Sequence, residues 1–257
     1  MKRAFAIAAH PDDIEFVMAG TLLLLGDAGY DLHYLNMTNG SCGSMELGPK
    51  EIGRIRVEEG RAAAAMAGAT FYPPLTVDLE IFYEDRYIRK LCSMIRNVAP
   101  EILLLQSPLD YMEDHQNTVR LAATAAFLRG VPNYPTDPPA DPVDQAVTIY
   151  HAQPHGNRDP LRQLVRPEFF VNVEPVLDRK KAMLGCHASQ KVWLDKTQGM
   201  ESYLQTMEDI GRETGAMSGR YAVAEGWRRR LHLGYCAEGA DPLSDALAEH
   251  VARADPA

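Results

Sequence analysis

Short apolar runs alternate with longer stretches of helical periodicity through the first half of the chain, the pattern of a β-α repeat. Ala4 to Ala9, behind Arg3, is apolar at every position and reads as a strand buried on both faces. Phe16 to Ala28, with Leu22, Leu23, Leu24 and Leu25, predicts a helix, Asp31 to Asn36 a second strand, and Asn39 to Ser44 a polar loop. Glu51 to Ala67 predicts an alanine-rich helix that stops at Gly68. Thr70 to Val77 is a third strand broken by Pro73-Pro74, and Tyr87 to Asn97 a third helix. Glu101 to Gln106 is a fourth strand, and the polar stretch Ser107 to His115 leads into a helix over Asn117 to Leu128.

This order implies an α/β fold, a Rossmann-like doubly wound and mainly parallel sheet with right-handed crossovers. With strand order 3-2-1-4-5, strands one and four are neighbours and their carboxyl ends flank the switch point where such sheets bind ligands. Val147 to His151 and Phe169 to Val173 are further strands, Val176 to Cys186 a helix, and Pro132 to Pro142 a loop within the domain. Trp193 to Ala216 reads as a helix in which Trp193, Leu194, Met200, Tyr203 and Met207 pack on the core or on another subunit. Tyr221 to Cys236, with Trp227 before Arg228-Arg229-Arg230, is placed at the pocket rim, and Asp241 to Arg253 as one short amphipathic helix. A single domain over 1–236 with a helical, frayed extension over 237–257 is expected.

Composition narrows the function. A net charge of −9 without an extended basic run argues against nucleic acid or an anionic membrane surface as partner, and for small-molecule chemistry. Lys2-Arg3 ahead of Ala4 to Ala9 mimics a signal peptide, but the apolar run is too short for one, and no later run reaches membrane-spanning length. Cys42, Cys92, Cys186 and Cys236 form no Cys-x-x-Cys pair, so a reducing, cytoplasmic setting is expected. Self-association through Trp193 to Met217 is a further expectation.

The turn after the first strand, His10-Pro11-Asp12-Asp13-Ile14-Glu15, has no glycine for a phosphate; it offers an imidazole and two carboxylates. Both aspartates also suit a helix N-terminus, where they could serve as caps alone. Asp110, Asp114 and His115 leave strand four beside them. His10, Asp13 and His115 then form a set of two histidines and one carboxylate, the composition of an open catalytic zinc site.

His10-Pro11-Asp12-Asp13-Ile14-Glu15 resembles the signature of the LmbE/PIG-L de-N-acetylases, zinc enzymes that remove the acetyl group of N-acetylglucosaminyl conjugates. Arg56-Val57-Glu58-Glu59 with Ala62, Ala63 and Gly68, the stretch Asp110 to His115, and His187-Ala188-Ser189-Gln190 resemble other motifs of that family. The resemblance implies that His10, Asp13 and His115 bind zinc, or iron(II) or another divalent ion in its place, and that Asp12 is the general base. It implies that Arg56 holds an anionic or polar group of a small N-acyl substrate, and Tyr111 and Asp114 are expected on the same substrate side. Where the family usually reads His-Pro-Asp-His, this chain has Met112-Glu113-Asp114-His115, so the histidine that steadies the oxyanion is a thioether. Asp114 would then lack its partner, and His155, His187 or Tyr111 is expected to replace the lost donor, in that order. A thiol-conjugate amidase, a nucleotide-binding Rossmann-like protein and a non-catalytic metal binder are the alternatives.

Overall fold

The computed structural model describes residues 2–190 and 203–254. Its first half is the expected β-α repeat: β1 (Arg3–Ala8), α1 (Asp13–Val17), α2 (Ala19–Asp27), β2 (Asp31–Asn36), α3 (Pro49–Met66), β3 (Thr70–Tyr72), α4 (Asp85–Val98), β4 (Ile102–Leu105) and α5 (Glu113–Leu128). The second half adds β5 (Thr148–Ala152), β6 (Phe169–Asn172), α6 (Leu177–Gly185), α7 (Tyr203–Ser218), β7 (Ala224–Arg229), α8 (Pro242–Ala246) and β8 (Val251–Arg253). The sheet runs β3-β2-β1-β4-β5-β7-β6-β8. The first five strands in that order are parallel, and β7, β6 and β8 join antiparallel. This is a Rossmann-like, doubly wound, mainly parallel fold with β1 beside β4, so the turns after these two strands share one edge of the sheet.

Strand alternation builds both cores. Ala4, Ala6 and Ala8 of β1 and Ile102 and Leu104 of β4 face a cluster with Leu22, Leu25, Ala63 and Trp227. Phe5, Ile7, Leu103 and Leu105 face the opposite cluster with Leu91, Ile95 and Leu121. Truncating a residue such as Leu91 to Ala costs about 2–5 kcal/mol.

Several elements depart from the sequence pattern for identifiable reasons. The helix expected over Phe16 to Ala28 breaks at Met18 (φ −133°). Glu225 of β7 accepts from Gly20 N–H at 2.8 Å and Thr21 N–H at 2.7 Å, so a new helix starts with its orphan donors satisfied. Lys180 of α6, 2.6 Å from Glu225 Oε1, neutralises that buried carboxylate. β3 ends at Tyr72 because Pro73 and Pro74 have no N–H to offer a ladder. α5 begins at Glu113 rather than Asn117, which places Asp114 and His115 in its first turn.

Asp241 to Arg253 is not one helix but the short α8, a 3₁₀ turn over Ala248–His250 and the strand β8 paired to β6. Nor does Tyr221 to Cys236 line the pocket rim. Trp227 is fully buried in β7, its Nε1–H on Thr21 Oγ1 at 2.9 Å, and Arg229 pairs with Glu168 at 2.8 Å. Of the helix expected over Trp193 to Ala216, Trp193, Leu194 and Met200 lie outside the described residues, while Tyr203 and Met207 pack in the core. Among the described residues no helix is long and apolar enough to cross a membrane.

Candidate metal centre and active-site cavity

The turn after β1 is closed by its own residues. The backbone N–H of His10 donates to Asp13 Oδ2 at 2.7 Å, and Asp12 between them has φ 109°, a value that non-glycine residues rarely adopt. Two side chains from elsewhere hold Asp12 there. Tyr203 of α7 donates its hydroxyl to Asp12 Oδ2 at 2.7 Å, and Arg56 of α3 lies 3.4 Å from the same oxygen while donating to Pro11 O at 2.6 Å and Gly40 O at 3.2 Å. Gly40 (φ 65°) is needed for this approach, since a Cβ there would come within 2.5 Å of the guanidinium.

His10, Asp13 and His115 converge. Nδ1 of His10 is 3.3 Å from Asp13 Oδ2, and Nε2 of His115 is 3.4 Å from Asp13 Oδ1. The two imidazole nitrogens flank the two oxygens of one carboxylate, so each of the three residues can offer a donor atom to one ion. The opposite ring nitrogens are held by carboxylates. His10 Nε2 lies 3.1 Å from both Asp78 Oδ1 and Asp114 Oδ2, and His115 Nδ1 lies 2.8 Å from Asp110 Oδ1. Imidazoles pinned from behind in this way have their tautomer set and the other nitrogen free for a metal, so the residues present fit a divalent ion. His10, Asp78 and Asp114 form a second, fully buried set of close donors. There the carboxylates have other work: Cys42 N–H donates to Asp78 at 3.0 Å and Leu79 N–H to Asp114 at 3.1 Å.

Protons compete with a metal ion for these imidazoles. Burial opposes protonation of His10, but hydrogen bonds to Asp114, Asp13 and Asp78 outweigh it and lift its pKa well above 6.5. Burial likewise opposes charge on Asp13, yet His115 and His10 hold it well below the usual carboxylate range. Asp12 goes the other way: burial raises its pKa above 3.8 despite the Arg56 guanidinium. Two neighbouring carboxylates are thus separated in character, one kept anionic between imidazoles and one raised by burial.

The sequence-predicted residues fall into three groups. His10, Asp12, Asp13, His115, Arg56, Tyr111 and His155 all line one cavity of about 470 Å³ at the switch point. Asp114 is close by but faces His10, so the expectation of a carboxylate left without a partner by Met112 is corrected: its partners are the His10 ring and Leu79 N–H. His187 is fully buried behind the turn, 3.2 Å from Glu15 Oε2, and takes no part in the cavity wall. The rest of the late motif ties to α3 and to the loop after β2: Ser189 donates N–H at 2.8 Å and O–H at 2.6 Å to Glu59, and Gln190 donates to Gly43 O at 3.0 Å.

His155 sits in a 3₁₀ turn after β5, its ring centroid 5.2 Å from that of Phe16 and 6.2 Å from that of Tyr111. It is open to solvent at the cavity mouth, but the protein crowding its ring lowers its pKa and favours the neutral imidazole. Tyr111, 62% exposed, packs edge-on to His115 at 5.6 Å. Asp78, Tyr203 and Gln153 are site residues that the sequence reading missed. Asp78 could have been suspected as a lone carboxylate after the third strand; Tyr203 and Gln153 carry no such signal.

A doubly wound sheet with this His/Asp cluster at its switch point defines a hydrolase-type enzyme with a candidate divalent-metal site. The family model for GlcNAc-PI de-N-acetylase, PIG-L, matches residues 5–126. Diacetylchitobiose deacetylase of Thermococcus kodakarensis is 30% identical over 241 residues, covering 89% of this chain and 83% of that protein. The 4-oxalmesaconate hydratase of Pseudomonas putida is 28% identical over 226 residues, covering 82% and 83%. Among solved structures, N,N'-diacetylchitobiose deacetylase from Pyrococcus horikoshii superposes with TM-score 0.75 at 23% identity, covering 94% of this chain and 88% of that one. The chain belongs to the PIG-L/LmbE family.

Proposed function

We propose that the chain is a zinc-dependent deacetylase that removes the N-acetyl group of an N-acetylglucosamine-type amino sugar or its conjugate. The observation that carries this reading is the convergence of His10 Nδ1, Asp13 and His115 Nε2, with Asp12 beside them on the same cavity. A bound divalent ion, zinc or iron(II), supplies Lewis-acid polarisation of the acyl carbonyl and lowers the pKa of water. His10, Asp13 and His115 are the residues that hold it. Asp12 is the general base: it takes a proton from the attacking water as the C–O bond forms and delivers it to the leaving amine as the C–N bond breaks. Its raised pKa suits both transfers, and Tyr203 and Arg56 keep its carboxylate oriented.

With Met112 at the cavity wall, the oxyanion needs a different donor, worth about 2.7–4 kcal/mol by the usual cost of losing one. We assign it to His155, whose ring is held between Phe16 and Tyr111, with the Tyr111 hydroxyl as the neighbouring candidate.

Water addition to an acidic unsaturated compound, suggested by the hydratase relative, is the second reading. The charge of the cavity weighs against it. Asp12, Asp13, Asp78 and Asp110 line the wall, and Arg56, the one basic side chain there among the described residues apart from the imidazoles, already holds Pro11, Gly40 and Asp12. Turnover profiles on N-acetyl amino sugars, thiol-conjugate amides and unsaturated polycarboxylates separate the readings; hydrolysis confined to the first group is expected, and hydration of the last group alone would overturn the proposal.

A further inference from the structure

The loop after β5 leaves a buried polar atom unpaired on a residue that lines the cavity. Gln153 is 4% exposed and lines the cavity. Its Nε2 donates to Val165 O at 2.6 Å and lies 3.3 Å from Asn157 Oδ1. Both neighbours are acceptors, so turning the amide over would set oxygen against oxygen. Asn157 is itself fixed, because its Nδ2 donates to Glu213 Oε2 at 2.9 Å and Thr214 Oγ1 donates to its Oδ1 at 3.1 Å. Oε1 of Gln153 has no partner. Keeping a buried carbonyl oxygen unpaired is unfavourable, and at a cavity wall its natural partner is a donor that enters the cavity.

An arc of rings lines the same cavity. Tyr203 and Phe16 are 5.2 Å apart, Phe16 and His155 5.2 Å, His155 and Tyr111 6.2 Å, and Tyr111 and His115 5.6 Å, all measured between centroids. The arc runs from the residue that holds Asp12 to a residue of the His/Asp cluster.

We propose that Gln153 and this arc form a recognition subsite for the substrate's ring and the amide nitrogen attached to it. It takes a pyranose ring whose C–H face packs on the aromatic side chains and whose hydroxyl or N–H donates to Gln153 Oε1. The inference rests on the hydrolase reading above and adds the residue that selects the substrate.

The test uses the zinc-loaded protein and Gln153→Met, a substitution of similar volume without the acceptor. Dissociation constants, by ligand-observed NMR titration, and kcat/KM are measured for N-acetyl-D-glucosamine, its 3-, 4- and 6-deoxy analogues and its N-methylacetamido analogue. The wild type should lose at least about tenfold on one analogue, which identifies the donor as a hydroxyl or the amide N–H. Gln153→Met should bind the parent and that analogue alike. The wild-type comparison stands without the variant. If the wild type hydrolyses all five probes within a factor of two of one another, or Gln153→Met weakens all five by one common factor, the subsite is wrong and the hydrolase reading survives. If no N-acetyl probe is bound or hydrolysed, both are wrong.

Discussion

Nε2 of His10 lies 3.1 Å from Oδ2 of Asp114, joining the turn after β1 to the first turn of α5 across the switch point. Asp114 thereby positions a residue of the His/Asp cluster, with Asp78 at the same distance from the same nitrogen. Asp114→Asn should lower metal affinity about 10–100-fold, the usual effect of losing a carboxylate behind a ligating imidazole, while His10→Ala should abolish stoichiometric binding. Competition with a fluorescent chelator measures this; unchanged affinity in Asp114→Asn would remove its positioning role.

Tyr203→Phe tests the control of Asp12. The Tyr203 hydroxyl donates to the ionised carboxylate and so lowers its pKa against the larger effect of burial. Without it the Asp12 pKa should rise, and the acid limb of the kcat/KM profile should move to higher pH with metal content unchanged. A limb that stays in place would dissociate Tyr203 from the base.

The Glu225 carboxylate joins β7 to the start of α2 and to Lys180, all out of water. Glu225→Ala should destabilise the fold by about 3–5 kcal/mol, because it strands a buried ammonium and two helix N–H groups. Denaturant unfolding of the two proteins gives the difference; a loss below about 1 kcal/mol would mean that Lys180 finds water.

His151 provides a pH test away from the site. Nδ1 lies 3.0 Å from Gln106 O and Nε2 3.3 Å from Arg230 NH1, which fixes a neutral ring protonated on Nδ1. Burial, with Arg230 and Arg228 nearby, lowers its pKa from 6.5 to about 4. Between those values the unfolded chain binds the extra proton, so stability from this residue is complete above pH 6.5 and is lost as pH falls toward 4, by about 3 kcal/mol. The His151→Asn protein should show a correspondingly shallower loss over that window than the wild type. Equal slopes would place the His151 pKa near its ordinary value.

How much of this was legible in the sequence follows from range. β1 and β4 are apolar runs that the β-α order sets side by side, so the meeting of His10 and Asp13 with His115 could be read from chain order and the switch-point rule. The break at Met18 could not, because its cause, Glu225, lies 205 positions from Gly20. Asp78 depends on a loop in which Leu79 adopts φ 63°, a conformation no periodicity predicts. The role of Asp114 was misread because a local motif was matched position by position, while its actual partner, His10, stands 104 positions earlier.

The central claim is that His10, Asp13 and His115 hold a metal ion beside a separate base, Asp12, for amide hydrolysis. The most direct measurement is metal content together with acetate release from N-acetyl amino sugars, made in parallel on the wild type and Asp12→Asn, before and after chelation and zinc return. The account predicts one metal ion per chain in both proteins, acetate release by the wild type that a chelator abolishes and zinc restores, and a loss of about 10²–10⁴-fold in kcat for Asp12→Asn. An Asp12→Asn protein that fails to hold metal, or one that releases acetate at the wild-type rate, would contradict it.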